Sequence, residues 1–201
     1  MSLINAAPTK TFFVDMLTRD IDLKDAILDL LDNCIDGIQR VTRDSAQSDA
    51  RPYEGFWANI EISEDAFLIE DNCGGIPLEV AERYAFRMGR PKGTADDDDI
   101  FTIGTYGIGM KRAIFKMGRS AQVRSQTIED SFNVMILPAW LASDNSWELP
   151  VESIENDDAE SGTLIEITDL REDVFDDPDT SPSAVGEACF QDVFDRIESD
   201  E

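Results

Sequence analysis

Histidine is missing from all 201 residues. Its absence removes Ser-His and Cys-His nucleophile pairs, histidine zinc sites and phosphohistidine chemistry from this chain. Lysine is scarce, with five residues against twelve arginines, and the 17 bases face 43 acids for a formal net charge of −26. So negative a surface excludes a protein that binds nucleic acid or an anionic membrane over its whole face, since both need a basic footprint. The three cysteines, Cys34, Cys73 and Cys189, are odd in number and their spacings fit no zinc pattern. No run approaches eighteen apolar residues, and no basic start leads into an apolar N-terminal segment. These absences read as a soluble, cytoplasmic protein with reduced thiols.

Enough remains for a core. The chain is 42% hydrophobic and 30% charged, a globular composition. Its length suits one domain, able to bury about 70% of the unfolded chain's surface without disulfides or metal. Aspartate outnumbers glutamate 27 to 16; a salt-adapted source and a plain solvated surface both account for that.

Charge is uneven along the chain. Residues 1–150 carry a net charge of −10 and residues 151–201 a net of −16. Asp176, Asp177, Pro178, Asp179, Ser181 and Pro182 read as a loop. After them Ala184, Val185, Ala188, Val193 and Ile197 predict a short helix that gives way to an acidic end. Nine of the 17 bases lie between Arg83 and Arg124. That clustering either compensates the Asp96–Asp99 run or serves an anion, and the glycines in the same stretch favour the anion.

The clearest element is a helix from Ile21 to Arg40, capped by Asp20 or Asp22. Leu23, Ala26, Ile27, Leu30, Leu31, Cys34, Ile35 and Ile38 form a continuous apolar stripe of helical period. Strands are expected at 57–62, 66–70, 121–126, 132–137 and 163–168, and helices at 78–87 and 108–117. The mixture predicts an α+β two-layer sandwich: a mixed, largely antiparallel sheet covered on one face by helices.

Four pieces carry chemistry. Asp25, Asp29, Asn33 and Asp36 share the polar face of the long helix. A solvated face accounts for them; so does a site, because an Asn amide oxygen suits Mg²⁺ and an Asp one turn earlier can orient a water. Next, a strand runs into Asp71-Asn72-Cys73-Gly74-Gly75-Ile76-Pro77. This is either a plain β-turn or an Asp placed to accept a hydrogen bond from an exocyclic amine such as that of adenine. Third, Gly104-Thr105-Tyr106-Gly107-Ile108-Gly109-Met110-Lys111 opens onto a helix. Backbone N–H groups and the helix dipole would cradle phosphate there, with Lys111 adding charge. It is neither a Walker loop nor a dinucleotide fingerprint. Last, Gly162-Thr163 opens a strand and, taken alone, reads as a turn.

In this order the four pieces resemble the GHKL ATPase superfamily (gyrase, heat-shock chaperone, histidine kinase, MutL), which has the Bergerat ATP-binding fold. Asp29 to Gly37 looks like its asparagine box, Asp71 to Gly75 and Gly104 to Lys111 like its two glycine boxes, and Gly162-Thr163 like its terminal Gly-Thr. Lys111 and the stretch Phe86-Arg87-Met88-Gly89 look most like the MORC-type and related bacterial branch. The resemblance implies a domain at 21–170 that binds ATP and Mg²⁺, an N-terminal arm at 1–20 and an acidic segment at 171–201. Asn33 would ligate Mg²⁺, with Asp36 beside it. Asp71, Gly75, Ile76 and Thr163 would hold adenine. Gly104, Gly107, Ile108, Gly109, Met110 and Lys111 would wrap the phosphates, beneath a lid at about 85–106. Asp29 would be the catalytic base, where the family usually has Glu. The shorter side chain sits about 1.5 Å short, and a 1 Å error can cost about 100-fold, so hydrolysis is expected to be slow. Cys73-Gly74 also departs from the usual Gly-x of the first box, although the Asp71-to-Gly75 spacing is kept.

The implied partners are a second copy, bound in an ATP-dependent dimer through the apolar N-terminal arm, and either further C-terminal domains or a partner protein. A non-catalytic ATP-sensing module and a protein kinase of the same fold are the alternatives. A DNA mimic that binds no nucleotide is disfavoured by the glycine boxes.

Overall fold

In this computed structural model the described residues are 4, 6–43, 51–88, 108–156, 160–175 and 185–190. Thr9 caps the first helix, α1 (Lys10–Thr18), by accepting from the Phe12 N–H. Lys10, Val14 and Thr18, four apart, are its buried positions. The second helix, α2 (Leu23–Thr42), starts on Asp22, whose carboxylate accepts from the Asp25 N–H at 2.8 Å. The expected stripe is the face it buries. Leu23, Ala26, Leu30, Cys34 and Ile38 lie in the core, and Ile27, Leu31 and Ile35 pack against it.

After β1 (Trp57–Ile62) and β2 (Ala66–Asp71), a short helix α3 (Leu78–Val80) runs into a π-helical turn at Ala81–Ala85. Then come α4 (Gly109–Met117), β3 (Gly118–Gln126), β4 (Ser131–Ile136), α5 (Pro138–Leu141), β5 (Val151–Ser153), β6 (Gly162–Leu170) and β7 (Val185–Cys189). The strands form one seven-stranded sheet in the order β5-β4-β3-β6-β2-β1-β7, with every pairing antiparallel. α2 and α4 pack on each other and, with α1, form the helical layer. This is the expected α+β two-layer sandwich.

Sheet register fixes which side chains stand abreast. One row reads Val123, Ile165, Ile69, Ile60, and another Ala121, Ile167, Phe67, Ile62. Both rows belong to the core. Two residues further along, on the same face by the period of two, the row reads Ser125, Thr163, Asp71, Ala58. The apolar face of the sheet therefore ends in a polar row directly under α2.

One expectation is corrected. Residues 185–189 form a strand, not a helix: β7 pairs with β1 from Trp57↔Cys189 to Glu61↔Val185. The backbone groups on the open edge of β1 find partners there, and such edge pairing outweighs a marginal helical pattern. Val193 and Ile197 lie outside the described residues. Within the N-terminal arm, α1 packs on its own chain. The Lys10 ammonium is buried, donates to the Trp140 carbonyl at 2.8 Å and to the Ser143 carbonyl, and lies 4.1 Å from the centre of the Trp140 ring. The Lys10 N–H adds a bond to Asp144 Oδ1 at 2.7 Å.

Candidate functional site: a carboxylate and glycine turn facing the start of a helix

β2 alternates Phe67, Ile69 and Asp71 toward the core, so the pleat that buries two hydrophobes also carries a carboxylate inward. The chain then turns sharply. Gly74 and Gly75 take φ values of +89° and +70°, a region that L side chains rarely adopt. A Cβ on Gly75 would come within 2.2 Å of the Gln126 carbonyl oxygen, so backbone packs against backbone there. Asp71 Oδ1 accepts from the Cys73 N–H at 2.7 Å, and Oδ2 accepts from the Cys34 thiol at 3.5 Å. Burial raises the Asp71 pKa above its ordinary value, and these donors partly offset the rise.

Ser125 ties the polar row together. Its hydroxyl accepts from the Ile76 N–H at 2.6 Å and lies 3.4 Å from Thr163 Oγ1. Arg40 Nη2 donates to the Gly75 carbonyl at 2.8 Å and so clamps the turn to α2. Gly37 makes the close approach possible, since a Cβ there would stand 2.3 Å from the Cys73 carbonyl oxygen.

The polar face of α2 looks onto the same region. Asn33 Nδ2 donates to the Asp29 carbonyl at 2.7 Å, so its amide oxygen has no hydrogen-bond partner among the described residues. Asp36 is buried and its charge acts on Arg40. Asp32 is pushed upward, by burial first and then by Asp29. Asp29 itself is engaged. Arg112 Nε and Nη2 each reach one of its oxygens at 2.8 Å, a bidentate, partly buried pair. Gly109 begins α4 against Asp29, where a Cβ would meet its side chain at 3.4 Å. The start of α4, the helix end at which backbone N–H groups have no intrahelical acceptor, therefore faces the α2 residues.

The structure thus brings together Asp29, Asn33, Asp36, Asp71, Gly75, Ile76, Ile108, Gly109 and Thr163, on α2, the β2 turn, β6 and the start of α4. Met110 is a buried core residue of α4. Lys111 is also buried, and its ammonium donates to the Ala85 carbonyl at 2.7 Å. Burial lowers its pKa to about 8. It therefore anchors the segment that enters the expected lid. Gly104, Gly107 and most of that lid lie outside the described residues. Sequence reasoning missed Ser125, Arg40 and the pairing of Arg112 with Asp29. Arg112 alone left a trace, as a member of the basic cluster.

A sheet whose polar end row lies under one helix and beside the start of another makes an α+β sandwich consistent with a GHKL ATPase domain. Residues 21–170 match the family described as histidine kinase-, DNA gyrase B- and HSP90-like ATPase, and the chain belongs to it. Comparison with curated proteins gave no match. Among the described residues no helix is long and apolar enough to cross a membrane.

Proposed function

We propose that the domain binds ATP with Mg²⁺ and hydrolyses it slowly. The observation that carries this reading is the convergence of Asp71, Thr163 and the positive-φ Gly75 with Asn33 and the start of α4. The residues fit the ligand. Asp71 is a half-buried acceptor beside a backbone with no side chain in the way, which suits the exocyclic amine of adenine. Thr163, bridged by Ser125 to Ile76, completes a polar wall. The free amide oxygen of Asn33 is a hard ligand of the type Mg²⁺ takes, and the first turn of α4 offers N–H groups to phosphate. Mg²⁺, when bound there, neutralises phosphate charge.

Asp29 is the group we assign to accept a proton from an attacking water. Its bidentate bond to Arg112 holds the carboxylate in one orientation and occupies both of its oxygens. Slow turnover follows from that pairing and from the short side chain. Lys111 holds the entry to the lid through Ala85, and closure of that lid over bound nucleotide, with dimerisation, is the motion we assign to the ATP cycle. Within the superfamily we propose the MORC-type and related bacterial branch, a reading supported by Lys111 and the stretch Phe86-Arg87-Met88-Gly89. The reading is tested by calorimetric titration of the full chain with ATP, with and without Mg²⁺. Saturable, Mg²⁺-dependent binding that is lost in Asp71→Ala upholds it, and no binding to well-folded protein overturns it.

A further inference from the structure

Two thiols and a carboxylate meet beneath the adenine turn. Cys34, on the core stripe of α2, and Cys73, in the turn after β2, are both buried and reduced, with their sulfurs within 4.8 Å of each other. Asp71 Oδ2 lies 3.5 Å from Cys34 Sγ. One ligand atom from each of Cys34, Cys73 and Asp71 falls within 4.8 Å of the other two. A tetrahedral ion with metal–sulfur bonds of about 2.3 Å and metal–oxygen bonds of about 2.1 Å spaces its ligand atoms roughly 3.5–3.8 Å apart. The Cys34–Asp71 edge already has that length, and small side-chain rotations would close the rest. The scaffold is firm: Gly37 brings α2 against the Cys73 carbonyl, and Arg40, balanced by Asp36, clamps Gly75.

We propose that Cys34, Cys73 and Asp71 form a binding site for a thiophilic d¹⁰ cation of the zinc class. Two sulfurs select such an ion over Mg²⁺, whose assigned oxygen ligand is Asn33. Each thiol releases its proton to solvent as its sulfur–metal bond forms, and no electron is transferred. The regulatory consequence rests on the adenine reading above. An Asp71 oxygen bound to metal is withdrawn from the adenine amine, so metal and nucleotide exclude one another.

The test uses the reduced full chain and Co²⁺ as the spectroscopic probe. One equivalent should give a sulfur-to-cobalt charge-transfer band that Zn²⁺ displaces. The apparent Co²⁺ affinity should fall at least tenfold in both Cys34→Ala and Cys73→Ala, and stay unchanged in Cys189→Ala. Adenosine, which carries the base without chelating phosphates, should bleach the band in wild type. Absence of the band in wild type, or its survival in both alanine variants, overturns the site whether or not those variants fold well. So does closure of the two thiols to a disulfide in place of metal uptake, read by mass. A band that resists saturating adenosine while calorimetry shows ATP binding overturns the mutual exclusion. Failure of ATP to bind metal-free protein that still gives the cobalt band overturns the adenine reading and leaves the metal site standing.

Discussion

Asp71 is held in a place that costs stability. Its carboxylate is partly desolvated, and the Cys73 N–H and the Cys34 thiol compensate only in part. A carboxyl whose folded pKa is raised favours the folded state most when protonated, and that advantage fades as pH rises through the folded value. Asp71→Asn should therefore raise the melting temperature at pH 7, and the gain should shrink on acidification as the wild-type group takes up its proton. The same variant should weaken ATP binding by roughly 10- to 150-fold, the worth of a hydrogen bond to a charged acceptor. Calorimetry and thermal melts read both effects, and a destabilised variant would contradict the desolvation argument. Asp29→Asn separates binding from chemistry: turnover should drop at least about 100-fold while the dissociation constant for ATP moves only a few-fold. Unchanged turnover would remove Asp29 from the reaction. Asp71 was legible in the sequence, because an Asp leading into paired glycines is a local pattern. Ser125 was not, because a serine within a strand has meaning only once β3 and β6 set it beside Thr163.

Helix α2 was legible almost to its cap, since a period of 3.6 repeated over four turns leaves few alternatives. α1 was not. Its buried positions are Lys10, Val14 and Thr18, so no apolar period marks it, and its docking depends on carbonyls of Trp140 and Ser143 over a hundred residues away. The strand at residues 185–189 was misread for a related reason: its pairing with β1 is a property of the sheet, not of the local sequence. Packing between elements sets two predictions. Gly37→Ala would force the α2 backbone away from Cys73 and should cost about 1–3 kcal/mol of stability, with loss of ATP affinity because the Asp71 turn moves. Chemical denaturation alongside calorimetry checks this, and an unperturbed protein would mean that the turn yields freely. The second concerns α4. The folded pKa of Lys111 is about 8 against an ordinary 10.5, so below pH 8 the folded state carries the full cost of burying its charge. That cost disappears between about pH 8 and 10.5, where the unfolded chain binds more protons. The stability of wild type relative to Lys111→Met should therefore rise across that window in pH-dependent denaturation. A flat difference would place the ammonium in contact with solvent.

Across the whole molecule, 43 acids outnumber 17 bases, so like-charge repulsion opposes whatever ion pairing offers. Of the pairs between described residues, Arg19–Asp20, Arg51–Glu54, Arg83–Glu79 and Arg119–Asp169 are largely exposed, and such pairs contribute about 0–1 kcal/mol each. The Asp29–Arg112 pair is the partly buried exception. Repulsion should therefore dominate, and added salt should stabilise the fold. Screening shortens from a Debye length of about 10 Å at 0.1 M to about 3 Å at 1 M, which weakens long-range repulsion more than contacts at 3–4 Å. The melting temperature should climb with NaCl over that range, and KCl should act alike if the effect is screening and not a specific ion. The same reasoning extends to the nucleotide. ATP is an anion approaching an anionic protein, drawn in by the start of α4 and repelled by the rest, so moderate salt should weaken its binding far less than it would in a basic protein. Melts and titrations at matched ionic strengths test both claims, and a melting temperature that falls with salt would show that ion pairing outweighs the net charge of −26.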